Sequence, residues 1–277
     1  MSFWRSSPYS QDGSEGTGFR MIYQTLSVQT TGHVAIMTLK GPLDSPSKRV
    51  RLSEELMECG DVIREDEKIR VVIVTDAGER SFSMEADTVG PSLKGDEELI
   101  TRSGSLSAPI AELDMPTVAA IQGDAIGQGL ELVLACDVRI AAETAHFGFP
   151  EIKKGLIPRD GGTQRLVRLV GRGKAIEMIL TGEVINAQEA LRIGLLNKVV
   201  PSDSLMAVAL KMAQEIGLKA PIALRYVKEA IYKGMDMTLE QGLRLEADLY
   251  LLLHATEDRT KGIEAFREKK PLRFEGR

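Results

Sequence analysis

Glu131 and Glu151 stand twenty positions apart, each beside backbone suited to holding a negative charge. Glu131 lies in Asp124-Ala-Ile-Gly-Gln-Gly-Leu-Glu131, where a glycine-rich turn runs into an apolar helix start. Glu151 ends Phe147-Gly-Phe-Pro-Glu151, a loop tied down by a proline and a nearby glycine. Two carboxylates fixed across one site can serve as general acid and general base. That is the pair needed to move a proton and a water across a polarised double bond. The residues therefore read as those of an enzyme. A third acid, Asp160, follows in Gly155-Leu-Ile-Pro-Arg-Asp-Gly-Gly162 and by residue type suits the cap of a helix beginning at Gly161-Gly162. His33, His146 and His254 show no triad or metal-ligand spacing. Cys59 and Cys136 lack the C-x-x-C pattern, so neither a disulfide framework nor a metal site is expected.

The elements that must hold these acids alternate along the chain. Val34 to Leu39 reads as a strand, and Leu52, Leu56, Cys59 and Ile63 then recur at helical spacing. Val71 to Thr75 reads as a buried strand, as does Thr117 to Ile121 before the glycine turn and its short helix. A further strand is expected near Val138 to Ala141, and Leu195 to Val200 is the one later candidate. Strands separated by helices argue for an α/β fold with parallel strands. Helical periodicity covers 203–217, 220–233 and 238–254, the last apolar over a broad face. So wide a stripe suggests burial against another subunit.

A chain of 277 residues can bury one large core, and its net charge of −5 gives no footprint for nucleic acid. No apolar run is long enough for a membrane span, and the first residues lack a signal peptide's apolar stretch. A cytoplasmic location is the expectation. Residues 1–19, poor in apolar side chains, are expected to form a flexible tail.

From about Ile22 to Arg277 the chain resembles the crotonase (enoyl-CoA hydratase/isomerase) superfamily. The resemblance is carried by Ala119-Ala-Ile-Gln-Gly-Asp-Ala-Ile-Gly-Gln-Gly-Leu-Glu-Leu132, by Ala135-Cys-Asp-Val-Arg-Ile-Ala141, and by Phe147 to Leu166. Leu180-Thr-Gly182, Ala187-Gln-Glu-Ala190 and Gly194-Leu-Leu-Asn-Lys-Val199 continue it in order. It implies a crotonase-like spiral of ββα units over a catalytic core at 20–200. A helical region at 201–277 would build trimers or hexamers. The substrate would be an acyl thioester of coenzyme A, with no separate cofactor.

The resemblance also implies roles. Backbone amides of Ala86 and Gln128 would form an oxyanion hole for the enolate of the thioester, although Gln128 stands where the family usually has glycine. Glu131 would deprotonate the attacking water, and Glu151 would deliver a proton to the α carbon. Asp160 stands where simple hydratases carry a small residue and dienoyl-CoA isomerases a catalytic aspartate, so the alternatives are a third catalytic acid or a helix cap. Lys48 and Arg49, with Lys269, Lys270 and Phe274 late in the chain, would meet the coenzyme. The leading expectation is an enoyl-CoA hydratase. The alternatives are a dienoyl-CoA hydratase or isomerase using Asp160 with Glu151, and, from another class, a noncatalytic member binding acyl-CoA or RNA.

Overall fold

The structure, a computed structural model, describes residues 9–11, 19–41, 43, 45–78, 82–84, 104–269 and 274–277. Strands β1 (Tyr9–Gln11), β2 (Phe19–Ile22), β3 (Leu26–Thr31) and β4 (Val34–Leu39) form an antiparallel run that leads into helix α1 (Pro46–Glu65). Strands β5 (Val71–Asp76) and β6 (Ser83–Met84) precede the short helix α2 (Ala108–Ala111). The next turn of chain is β7 (Thr117–Ile121), β8 (Ala125–Gly127) and α3 (Gln128–Leu134). It is followed by β9 (Val138–Ala142), β10 (His146–Gly148), a 3-10 turn at Pro150–Lys154 and α4 (Gly162–Val170). Helix α5 (Arg172–Thr181), β11 (Val184–Asn186), α6 (Ala187–Arg192) and β12 (Lys198–Val200) close the spiral. Helices α7 (Leu205–Gly217), α8 (Pro221–Gly234), α9 (Leu239–Leu253) and α10 (Glu257–Glu268) end the chain.

Each turn of the spiral gives one strand to each of two sheets. The larger sheet runs β1-β2-β3-β4-β5-β7-β9-β12, parallel from β4 onward, and the smaller runs β11-β10-β8-β6. The ββα repeat is plain in β7-β8-α3 and again in β9-β10-α4, so the mixed α/β spiral expected from sequence is the fold observed.

The central parallel strands β4, β5, β7 and β9 of the larger sheet are buried on both faces, as parallel strands covered by helices must be. Every residue of β5 is buried, and alternation sorts them. Val72 and Val74 join the main core with Leu52, Leu56, Cys59 and Ile63 of α1. Val71 and Ile73 face Leu205, Ala209 and Ala213 of α7 on the other side. Each fully buried Val or Ile contributes roughly 1.5–3 kcal/mol.

The structure departs from the sequence reading at three places. The run expected as a strand from Leu195 pairs only at Lys198–Val200, because the amides of Leu195 and Leu196 both donate to the Ala190 carbonyl in the turn leaving α6. The opening stretch contributes Tyr9–Gln11 as an edge strand beside β2. Helix α10, which periodicity did not predict, carries a charge-rich sequence with few apolar positions. Among the described residues no helix is long and apolar enough to cross a membrane.

Candidate active site

The site is built where β6, β8 and β10 of the smaller sheet hand over to the segments that follow. Gly127 ends β8 with φ +60°, a positive φ open to glycine that turns the chain directly into α3. Two residues on, Gly129 lies against the backbone of Phe82. A Cβ there would stand 1.7 Å from the Phe82 carbonyl oxygen. This contact and the hydrogen bond from Ile126 N–H to the same oxygen (3.1 Å) hold the start of α3 hard against β6. Of the two expected oxyanion donors, Gln128 is the first residue of α3, where a main-chain N–H has no intrahelical acceptor. Ala86 lies outside the described residues, two positions beyond the end of β6.

Glu131 sits in the first turn of α3 and is 1 % exposed. The amides of Asp160 (2.7 Å) and Gly162 (2.8 Å) both donate to its Oε1. Gly162 leaves room for this: a Cβ would meet Pro158 Cβ, Phe149 Cζ and Glu131 Oε1 within 3.0 Å. Burial pushes the Glu131 carboxyl up to about 7. The two amides oppose the rise, while the charges of Asp160 and Glu151 add to it. Glu151, 4 % exposed on the 3-10 turn after β10, is thus close enough for its charge to act on Glu131. Two buried carboxyls in electrostatic contact, one of them titrating near neutrality, can divide the work of base and acid.

Asp160 does not cap α4. The cap position is Gly161, with φ +104° and no side-chain bond to the helix. The Asp160 side chain instead reaches across to the segment before α2. Its Oδ2 accepts from the amides of Leu106 (2.7 Å) and Ser107 (3.0 Å), and its Oδ1 from the hydroxyls of Ser105 and Ser107. Gln128 Nε2 stands 3.5 Å from Oδ2. The Arg165 guanidinium clasps the same corner, donating to Ser107 Oγ (2.8 Å) and to the Asp160 carbonyl (3.0 Å). Ser105, Ser107 and Arg165 were not singled out from sequence. The only signal was a Ser-x-Ser pair ahead of a proline-started helix, where Ser105 Oγ accepts from Ala108 N–H (2.8 Å).

The residues expected to meet the coenzyme are scattered. Lys48 is exposed in the first turn of α1, whose cap Ser45 accepts from its amide (3.4 Å). Arg49 turns inward, 4 % exposed, and donates to the Leu43 carbonyl (3.2 Å). Lys269 is exposed with φ 51° just after α10, and Lys270 lies outside the described residues. Phe274 is held by its carbonyl, which accepts from Arg70 Nη2 (2.7 Å) where β5 begins. The structure thus gathers Gln128, Glu131, Glu151 and Asp160 into one corner, while Lys48, Arg49, Lys269 and Phe274 lie on other segments of the chain. A cavity of about 870 Å³ adjoins that corner. Ser105, Ser107 and Asp160 form one wall and Leu224, Val227 and Ile231 of α8 another, while neither glutamate lines it.

Comparison with known proteins identifies the family. The sequence profile of the Enoyl-CoA hydratase/isomerase family matches residues 29–277. The chain is similar to the 2,3-dehydroadipyl-CoA hydratase of Escherichia coli, at 37 % identity over 253 residues, covering 91 % of this chain and 99 % of that protein. It is similar to the crotonyl-CoA hydratase of Syntrophomonas wolfei, at 35 % identity over 257 residues, covering 92 % and 99 %. The crystal structure of an enoyl-CoA hydratase from Bacillus anthracis superposes with a TM-score of 0.83 at 38 % identity, covering 92 % of this chain and all of that one.

Proposed function

This chain belongs to the enoyl-CoA hydratase/isomerase family and is an enzyme of it, and from that premise we propose that it adds water across the conjugated double bond of a 2-enoyl-CoA thioester. The observation that carries the proposal is the buried pair Glu131 and Glu151, with Oε1 of Glu131 fixed by two amides.

In the proposed reaction the Glu131 carboxylate takes a proton from water as the water oxygen bonds to the β carbon. The electron pair of the double bond moves toward the thioester carbonyl, and a protonated Glu151 gives its proton to the α carbon. Charge gathers meanwhile on the carbonyl oxygen, where the main-chain amides of Gln128 and Ala86 would receive it. A fixed donor aimed at such an oxygen is typically worth about 3–4 kcal/mol of barrier. The side chain of Gln128, buried and turned toward Asp160, leaves its amide in place for this role. Lys48, Lys269, Lys270 and Phe274 remain the proposed coenzyme contacts, while Arg49, turned inward onto the Leu43 carbonyl, is withdrawn from that role.

Because Glu131 must be ionised to act as base, kcat/KM for hydration should fall as pH drops through about 7, approaching about tenfold per pH unit below it. A pH profile flat from about 5 to 9 would remove Glu131 from that role. The acyl group is tested by incubation with straight-chain, cyclic and dienoyl thioesters and product mass. Gain of one water marks a hydratase, and a product of unchanged mass marks the isomerase alternative.

We also propose that the chain functions as a trimer or a pair of trimers. Helices α8 and α9 leave Val227, Ile231, Leu239, Leu243 and Leu252 more than half exposed in the single chain. An apolar face of that extent marks an interaction surface. Sedimentation should show a multiple of three at micromolar concentration, and a stable monomer would contradict the proposal.

A further inference from the structure

Asp160 is 9 % exposed, and its surroundings show what it does here. Its main-chain N–H is one of the two donors to Glu131 Oε1, so the position of the general base depends on where residue 160 is held. Residue 160 lies in the irregular loop of residues 155–161 between the 3-10 turn and α4, where no helix or strand ladder fixes its amide. The Asp160 carboxylate supplies the fixing, since the Ser105–Ser107 segment turns two amides and two hydroxyls onto it. Two amides and the Ser105 hydroxyl engage the carboxylate, and the single Ser107 hydroxyl proton is shared between Oδ1 (2.8 Å) and the Asp160 carbonyl (2.6 Å), so the side chain is committed to this segment. The same Oδ2 lies beside the side-chain amide of Gln128, whose main chain opens α3.

We infer that Asp160 is a positioning residue: through its anchored carboxylate it sets the amides of residues 160 and 162 on Glu131. The inference rests on Glu131 being the base, as proposed above. It predicts that shape at residue 160 matters more than an exchangeable proton. Asn can keep most of the anchor, with its oxygen on the two amides and its NH2 toward the serine hydroxyls, which can turn to accept. Ala removes the anchor altogether.

The test compares Asp160→Ala, Asp160→Asn and the double variant Glu131→Gln/Asp160→Ala in hydration of crotonyl-CoA, with thermal unfolding as the check on folding. Asp160→Ala should lower kcat about 30-fold with KM changed about twofold or less, and Asp160→Asn should return to within about threefold of the parent. The acid limb of the Asp160→Asn profile should move to lower pH, because removing the Asp160 charge eases ionisation of Glu131. The double variant should fall within about twofold of Glu131→Gln alone, since a residue that acts through Glu131 has nothing left to position. Equal losses in the Asn and Ala variants would identify a proton carrier and overturn the inference. So would multiplicative losses in the double variant, or an Asp160→Ala enzyme with lowered stability but unchanged kcat and pH limb. If Asp160→Ala does not fold, the Asp160→Asn profile still decides, and Ser107→Ala, which removes one donor to the same carboxylate, should lower kcat in the same direction. Should Glu131→Gln itself leave kcat unchanged, the acid/base reading fails, and not the positioning of residue 160.

Discussion

Glu131→Gln is expected to lower kcat for hydration by about 10²–10⁴-fold, and Glu151→Gln by a similar factor, with the fold retained. Glutamine keeps the shape of Glu131 and still offers an oxygen to the amides of Asp160 and Gly162, so stability is not at stake. What is lost is the capacity to take a proton. The parent carboxyl, held near neutrality by burial, exchanges one readily. The loss should fall on kcat, with KM largely unchanged, because the proton moves in the transition state and contributes little to ground-state binding. Steady-state kinetics with thermal unfolding as a control would decide the matter. Near-parent turnover in both variants would contradict the two-glutamate chemistry.

Gly129→Ala should be comparably damaging by a different route. The added methyl would sit 1.7 Å from the carbonyl oxygen of Phe82 and 2.5 Å from its carbon, and neither can move without moving β6. Overpacking against backbone lies at the upper end of the usual range, about 3 kcal/mol of lost stability. A shift of about 1 Å in the start of α3 would displace both the Gln128 amide and Glu131, enough to cost about 10²-fold in kcat. Gly173→Ala is the control: no atom lies within 4 Å of its Cβ position, so it should be neutral or slightly stabilising. Denaturant midpoints and kcat for the two variants should diverge. Equal behaviour would mean that the close approach of α3 to β6 is not what orders the site.

Much of this fold was legible because its central elements are long enough for periodicity to speak. Helix α1 buries Leu52, Leu56, Cys59 and Ile63 as their spacing requires, and β4 and β5 run where apolar continuity places them. The smaller sheet was not legible in the same way. Strands β8, β10 and β11 are three residues each, too short to show alternation, and they exist because the larger sheet and the helices bring them together. The acids Glu131 and Glu151 were visible from residue type beside a glycine turn and a proline loop. The partners of Asp160 were not, since Ser105 and Ser107 lie 55 and 53 positions away, and contacts of side chain to distant backbone leave no periodic trace. The helix-cap reading assumed that a polar residue beside a helix start serves that helix. Here Gly161 occupies the cap, and the carboxylate serves a more distant turn.

The central claim is that the buried pair adds water to a conjugated thioester, and hydration of crotonyl-CoA in water enriched in oxygen-18 tests it most directly. The account predicts a 3-hydroxyacyl-CoA carrying one solvent oxygen on the β carbon, formed at a rate that Glu131→Gln reduces by about 10²-fold or more. A product of unchanged mass, or a hydrated product formed equally fast by the variant, would contradict it.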